Sequence, residues 1–169
     1  VLENTGAADT NLQAEIDHIL TYLQIQQMRF GDRVNYILTV QPEMKLEEYR
    51  VVPLLLQPIV ENAIIHGLEA RESDGTIWIS IYIKENVVFV DISDNGCGIK
   101  EDRLKELLTK VQDYTKKRRR SNIGLYNINR RIKLNYGEQY GLEVLSTYGE
   151  GTMVRVTFPV IRSEKEVNE

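Results

Sequence analysis

The chain has 169 residues, 42% hydrophobic and 27% charged, a globular composition with enough apolar mass for one domain and a little more. A net charge of −4 implies no general affinity for nucleic acid; a single cysteine, Cys97, excludes a disulfide framework, and with only His18 and His66 beside it a His/Cys metal cluster is nearly excluded. No apolar run reaches the roughly 18 residues that span a bilayer, the densest, Val51 to Val60, being broken by Pro53, Gln57 and Pro58; a soluble domain of a reduced compartment is expected.

The chain opens on Val1 with a loose lead-in, Asn4-Thr5-Gly6-Ala7-Ala8, and no signal peptide, which reads as a piece cut from something larger. Asn11 to Phe30 predicts a helix, with Leu12, Ile16, Ile19, Leu20 and Leu23 on one stripe. Thr10 or Asn11 suits its N-cap and Gly31 its stop. Val34, Tyr36, Leu38 and Val40 alternate through a strand over Arg33 to Val40, which Pro42 closes. Glu47 to about Ala70 predicts a second helical region, started or kinked at Pro53 and Pro58 because each removes a backbone donor.

Asp74-Gly75 marks a turn. Ile77 to Ile83 and Val87 to Ile92 predict two strands joined as a hairpin by Glu85-Asn86. Lys100 to about Gln112 reads as a short amphipathic helix, and Tyr114 to Asn122 as a polar, basic loop. Ile123 to Tyr136 predicts a helix with Leu125, Ile128 and Ile132 on one side and Gly137 as its stop. Leu142 to Thr147 and Met153 to Val160 predict strands joined at Gly149-Glu150-Gly151, and the charged tail from Ser163 is expected to fray. About five strands with frequent hairpin connections, three helices and a leading helix give an α/β (α+β) two-layer sandwich, its sheet mixed and mostly antiparallel, its helices on one face.

Two stretches carry chemistry. Gln57-Pro58-Ile59-Val60-Glu61-Asn62-Ala63-Ile64-Ile65-His66-Gly67 sets an acid and an amide side by side on an apolar helix. A side-chain amide plus phosphate oxygens suits Mg²⁺, which takes oxygen ligands and keeps several waters. His66, four residues after Asn62, shares its face and can reach phosphate; a solvated stripe, or a helix-end hydrogen bond for His66, suits the same residues. Asp91-Ile92-Ser93-Asp94-Asn95-Gly96-Cys97-Gly98-Ile99 runs an apolar strand into an aspartate and two spaced glycines. The Asp94 carboxylate can accept from the exocyclic amine of adenine and penalises the carbonyl of guanine, and Gly96 and Gly98 remove side chains where a base or ribose must approach. A plain Asp-Asn-Gly turn is the competing reading.

Gly124-Leu125-Tyr126-Asn127 opens a helix whose free N–H groups suit phosphate, or an ordinary start capped by Asn122. The run Lys116-Lys117-Arg118-Arg119-Arg120 suits a lid over a triphosphate, but more often such a run is a solvated loop. Thr152 can touch phosphate or simply pair in the sheet, the sheet being favoured.

The order Glu61-Asn62, Asp94-x-Gly96-x-Gly98, Gly124-Leu125, Gly151-Thr152 resembles the nucleotide boxes of the GHKL ATPase superfamily, and within it the LytS/YesM-type sensor histidine kinases. Tyr22-Leu23-Gln24-Ile25-Gln26-Gln27-Met28-Arg29-Phe30-Gly31-Asp32-Arg33, Gln57 to Ala63 and Gly124 to Arg131 carry the subgroup match, which covers about Leu12 to Pro159. The resemblance implies a Bergerat-type sandwich over residues 32–162 that binds Mg-ATP, preceded over 1–31 by the end of a dimerisation helix. It makes Glu61 and Asn62 the catalytic pair, Asn62 the Mg²⁺ ligand and Asp94 the adenine ligand, with His66, Gly96, Gly98, Ile99, Asn122, Gly124, Leu125 and Thr152 around the nucleotide.

It further implies a membrane sensor, this part cytoplasmic, that phosphorylates a histidine of its own upstream helix, as a homodimer, and passes the phosphate to a response regulator. The family's His-Phe-Asn phosphoacceptor pattern is absent, and His18 in Ile16-Asp17-His18-Ile19 reads as a packed or surface helix residue. Asn122 stands where a glycine is usual and Ile65 where a basic residue is common. The position of the gyrase-like hydrolytic glutamate is Pro58, which favours a kinase over an efficient ATPase. Two alternatives stand beside the kinase: another GHKL ATPase or serine kinase, and a degenerate domain that binds a partner without turnover.

Overall fold

The structure, a computed structural model, describes residues 10–68, 71–112 and 123–163. The lead-in Asn4 to Ala8, the predicted end of the second helical region at Ala70, the basic run Lys116 to Arg120, Asn122 and the tail beyond Ser163 lie outside the described residues.

The chain begins with a two-residue strand β1 (Thr10–Asn11) and helix α1 (Leu12–Phe30). Asn11 is the N-cap, its side chain accepting the Ala14 N–H at 2.9 Å. Gly31 ends the helix at φ 58°, its N–H donating to the Gln27 carbonyl. The stripe read from the sequence is the buried one: Leu12, Ile16, Ile19 and Leu23 are fully covered, and His18 is exposed. Each such side chain contributes roughly 1.5–3 kcal/mol of burial, and all four belong to the same apolar core as the sheet.

A 3₁₀ turn at Gly31–Arg33 delays strand β2 to Asn35–Val40, where Ile37 faces out and Tyr36, Leu38 and Val40 face the core. The predicted helix over Glu47 to Ala70 is not continuous. A 3₁₀ turn at Leu46–Glu48 and a short strand β3 (Arg50–Val51), paired antiparallel with β1, come first, and α2 starts only at Gln57–Asn62. Between them Pro53 supplies no donor and Leu54 takes φ 55°. The N–H groups of residues 52, 54 and 56 go to side chains of other helices instead of a helical ladder. From Ala63 to Leu68 the helix continues in π geometry, a widened form common at functional sites.

Strands β4 (Thr76–Lys84) and β5 (Val87–Asp94) form the expected hairpin, with Glu85 and Asn86 at φ 50° and 63°, the left-handed pair a two-residue turn requires. Helix α3 (Glu101–Gln112), helix α4 (Ile123–Tyr136) and strands β6 (Gly141–Thr147) and β7 (Gly151–Pro159) complete the chain. The last strand starts at Gly151, two residues before its predicted start, because Thr152 pairs with Asp94.

The five-stranded sheet has the order β2-β4-β5-β7-β6. Only β2 and β4 are parallel, so the chain crosses over between them and lays α2 on the sheet. Ile77, Ile79, Ile81, Val88, Val90, Ile92, Val154, Val156 and Phe158 form its buried face. The other face is mixed, with Ile37, Trp78 and Leu145 exposed on it, and its centre holds Arg155, whose Nε and Nη2 each donate to Asp91 at 2.8 Å. This is the mixed two-layer α/β sandwich the alternation predicts.

Candidate functional site

Between the helix layer and the strands lies a cavity of about 670 Å³. Asp94, the last residue of β5, is 9% exposed and sits in its wall. Its Oδ1 accepts the Gly96 N–H at 2.8 Å. Burial pushes the carboxyl above its ordinary value of 3.8, and the N–H groups of Gly96 and Thr152 offset part of that rise.

The turn after Asp94 is built by neighbouring backbone. Asn95 accepts the Thr76 N–H at 2.8 Å and donates to the Asp74 carbonyl at 2.9 Å, tying the turn to the start of β4. A Cβ at Gly96 would meet the Gly67 carbonyl oxygen at 2.1 Å, so Gly96 makes room for the helix layer, not directly for a ligand. Gly98, at φ 64°, would meet the Thr147 carbonyl oxygen at 2.0 Å, and unlike Gly96 it does line the cavity. Thr152 both pairs in the sheet and lines the cavity, its hydroxyl 2.8 Å from that of Ser146. Ser146 in turn accepts the Ile99 N–H at 2.9 Å, fixing the loop.

The opposite wall is α2 with its π extension. Asn62 and His66 both line the cavity, His66 from the π extension. Glu61 does not line it: its Oε1 accepts from Gln57 Nε2 at 3.1 Å on the flank of the helix. At the start of α4, Gly124 and Leu125 close the third wall, and a Cβ at Gly124 would lie 3.7 Å from Nδ2 of Asn62. Of the residues singled out in the sequence, Asn62, His66, Asp94, Gly98, Ile99, Gly124, Leu125 and Thr152 are brought together.

Three contributors carry no role in the sequence reading. Gly67 lies within the first motif, yet only the fold shows that it borders the Asp94 carboxylate. Lys100 and Arg103 place two cations on the rim, Lys100 stacked 5.2 Å from the Tyr148 ring centre and Arg103 paired with Glu106 at 2.8 Å. The signal for them was their closeness in sequence to Gly98. Ile59, Ala63, Ile92, Leu107, Val144 and Val154 supply apolar lining. A larger groove of about 780 Å³ runs between α4 and the strands β6 and β7. It is the weaker candidate, because none of Asn62, His66, Asp94, Gly98, Gly124 and Thr152 lines it.

The class these features define is an α/β sandwich with a cavity between one helical layer and the sheet. Residues 51–162 match the model of the histidine kinase-, DNA gyrase B- and HSP90-like ATPases, and the chain belongs to that family, whose domains bind ATP. Over 154 residues it is 34% identical to the sensor protein LytS of Oceanobacillus iheyensis, covering 91% of this chain and 26% of that protein. Over 149 residues it is 34% identical to the sensor histidine kinase YesM of Bacillus subtilis, covering 88% of this chain and 23% of that protein. The chain thus spans about a quarter of the length of these relatives. Its fold matches histidine kinase ThkA, solved in complex with the response regulator TrrA, at a TM-score of 0.63 and 16% identity, over 91% of this chain and 42% of that one.

Proposed function

We propose that this chain is the Mg-ATP-binding catalytic domain of a two-component sensor histidine kinase, and that the γ-phosphate passes to a histidine outside this segment. The observation that carries the reading is the buried Asp94 carboxylate, set in one wall of a cavity that faces Asn62 and Gly124. In this reading one oxygen of Asp94 is held by Gly96, and the carboxylate accepts the exocyclic amine of adenine over the apolar lining from Ile92 and Val154. Asn62 would hold Mg²⁺ through its side-chain oxygen, the kind of donor that suits a hard cation. When bound, the metal neutralises phosphate charge; Lys100, Arg103 and His66 add cationic or hydrogen-bonding capacity on the same rim.

The relatives' names support the kinase, and Pro58 at the start of α2 supports it over a hydrolase, since no carboxylate stands there to activate water. The wider reading gives the domain a homodimeric partner with an upstream phosphoacceptor helix, a response regulator as receiver, and a cytoplasmic place in a membrane sensor. Among the described residues no helix is long and apolar enough to cross a membrane.

Calorimetric titration with Mg-ATP and Mg-GTP, on the wild-type chain and Asp94→Asn, tests the pocket. Mg²⁺-dependent binding that prefers ATP and disappears in the variant is expected. An absence of nucleotide binding by the wild type would overturn the reading and leave a partner-binding domain.

A further inference from the structure

Glu15 lies on α1 and is 1% exposed, a carboxylate inside an apolar core. Its Oε2 accepts the Leu54 N–H and its Oε1 the Leu56 N–H, both at 2.9 Å. Leu56 is the N-cap residue of α2, and its own side chain offers no cap. From the other side α4 grips the same loop. Arg131 donates through Nη2 to the Pro53 carbonyl at 2.7 Å and through Nη1 to the Leu54 carbonyl at 3.1 Å. The Tyr136 hydroxyl accepts the Val52 N–H at 2.8 Å.

A buried charge is an expensive way to stabilise a core, and apolar packing of the same volume often does as well. What the carboxylate supplies is geometry. Two fixed acceptors on α1 and a planar fork on α4 hold residues 52–56 from opposite sides. That loop launches the helical run from Gln57 to Leu68, which carries Asn62. The fork belongs to the helix that starts beside Gly124, whose Cβ position lies 3.7 Å from the Asn62 amide.

We infer that Glu15 and Arg131 are positioning residues that set the place of Asn62 relative to Gly124, and so the metal-dependent part of nucleotide affinity. The inference rests on the ATP-binding reading above. It grades the two halves of the site: Asn62 lies near the clamped start of the run, whereas Gly67, at its far end, is tied to the Asp94 turn by the Cys97 N–H, and Asp94 on β5 is held by the Gly96 N–H, so the clamp acts on Asn62 more than on the adenine side. A shift of α1 carries Glu15 with it, so the first helix gains a route chiefly to the metal side of the cavity.

The test measures ATP affinity with Mg²⁺ and with the metal chelated, together with the denaturation midpoint, for the wild type, Glu15→Gln and Leu23→Ala. Glutamine keeps the shape of Glu15 but turns an NH₂ donor toward one of two N–H groups. Glu15→Gln is expected to lose at least tenfold of the affinity gained from Mg²⁺ while its metal-free affinity stays within twofold. Leu23→Ala, which empties core volume on the same helix, is expected to lower the midpoint and keep the full Mg²⁺ gain. Equal behaviour of the two variants, or an undiminished gain in Glu15→Gln, overturns the positioning role. Should Glu15→Gln fail to fold, Arg131→Lys, which keeps the charge and loses the fork, must show the same selective loss or the inference falls. Failure of the wild type to bind ATP would overturn the ATP-binding reading, and this inference with it; normal wild-type binding with no selective loss overturns this inference alone.

Discussion

A Cβ on residue 67 would stand 2.7 Å from Oδ1 of Asp94 and 3.1 Å from its Oδ2. The bare backbone of Gly67 is therefore what lets a carboxylate occupy this wall of the cavity at all. The same glycine offers its carbonyl to the Cys97 N–H at 3.2 Å, and Gly96 is bare so that the two segments can touch.

Gly67→Ala is accordingly expected to displace the Asp94 side chain. Overpacking of this kind costs about 1–3 kcal/mol, read as a lowered denaturant midpoint. Because the displaced group is the proposed adenine acceptor, ATP affinity is expected to fall tenfold or more in the protein that remains folded. Wild-type affinity in a folded Gly67→Ala chain would remove Asp94 from the role of base anchor.

Burial holds the Asp94 carboxyl above 3.8, and that direction fixes two pH dependences. Between the unfolded value and the higher folded one, the folded chain keeps a proton that the unfolded chain has lost, so stability falls as pH rises through that window. Above the folded value the full cost of the buried charge is present. Asp94→Asn removes it, so the variant is expected to exceed the wild type in stability at neutral pH, with the advantage shrinking as pH falls through that window and lost below 3.8. Nucleotide affinity has the opposite slope: the charged form accepts the amine, so wild-type binding weakens on acidification while still above the ordinary carboxylate range. Denaturation and calorimetry as functions of pH check both; a stability difference independent of pH would show that Asp94 titrates normally.

The cavity was legible where a residue type has few other uses. Asp94 at the end of an apolar strand, Gly98 after it and Asn62 interrupting an apolar helix all converge on one cavity. The Glu85-Asn86 turn and the Asn11 cap were legible because both are local, requiring only neighbouring residues. Residues 47–56 were misread because the partners that replace the helical ladder lie far along the chain, at Glu15, Arg131 and Tyr136. Gly96 is bare on account of the Gly67 backbone and Gly67 on account of the Asp94 side chain, contacts no spacing rule conveys. Glu61, adjacent in sequence to Asn62, is turned by the helix onto Gln57 instead of the cavity.

Gly124 separates space from stability. It is exposed, and a Cβ there would have ordinary contact with Asn62 Nδ2 at 3.7 Å, so nothing in the fold requires glycine. Glycine in a helix costs up to about 1 kcal/mol relative to alanine, so Gly124→Ala is expected to leave stability unchanged or raise it by less than that amount. Gly124→Leu is expected to fold as well but to reach across the Asn62 amide, and to weaken Mg-ATP by more than tenfold. Calorimetry beside thermal denaturation reads the two effects separately; full affinity in Gly124→Leu would place the phosphates elsewhere.

The Arg155–Asp91 pair predicts the converse, a change of stability without a change of binding. Its two hydrogen bonds of 2.8 Å lie on the open face of the sheet, opposite Val154 and Ile92 that line the cavity. Asp91 is the largest cause of the raised Arg155 pKa, through its hydrogen bond to the guanidinium. Side-chain exposures of 29% and 14% leave the pair partly screened, so Asp91→Ala is expected to cost about 1–2 kcal/mol, toward the low end for hydrogen bonds between charged groups. Salt lowers the wild type toward the variant, because the pair's attraction is screened. ATP affinity is expected to stay within twofold, since neither the Asp94 turn nor the Asn62 helix touches the pair. A large loss of affinity in Asp91→Ala would mean that the sheet transmits strain from its open face to the cavity wall, and that the two faces do not act independently.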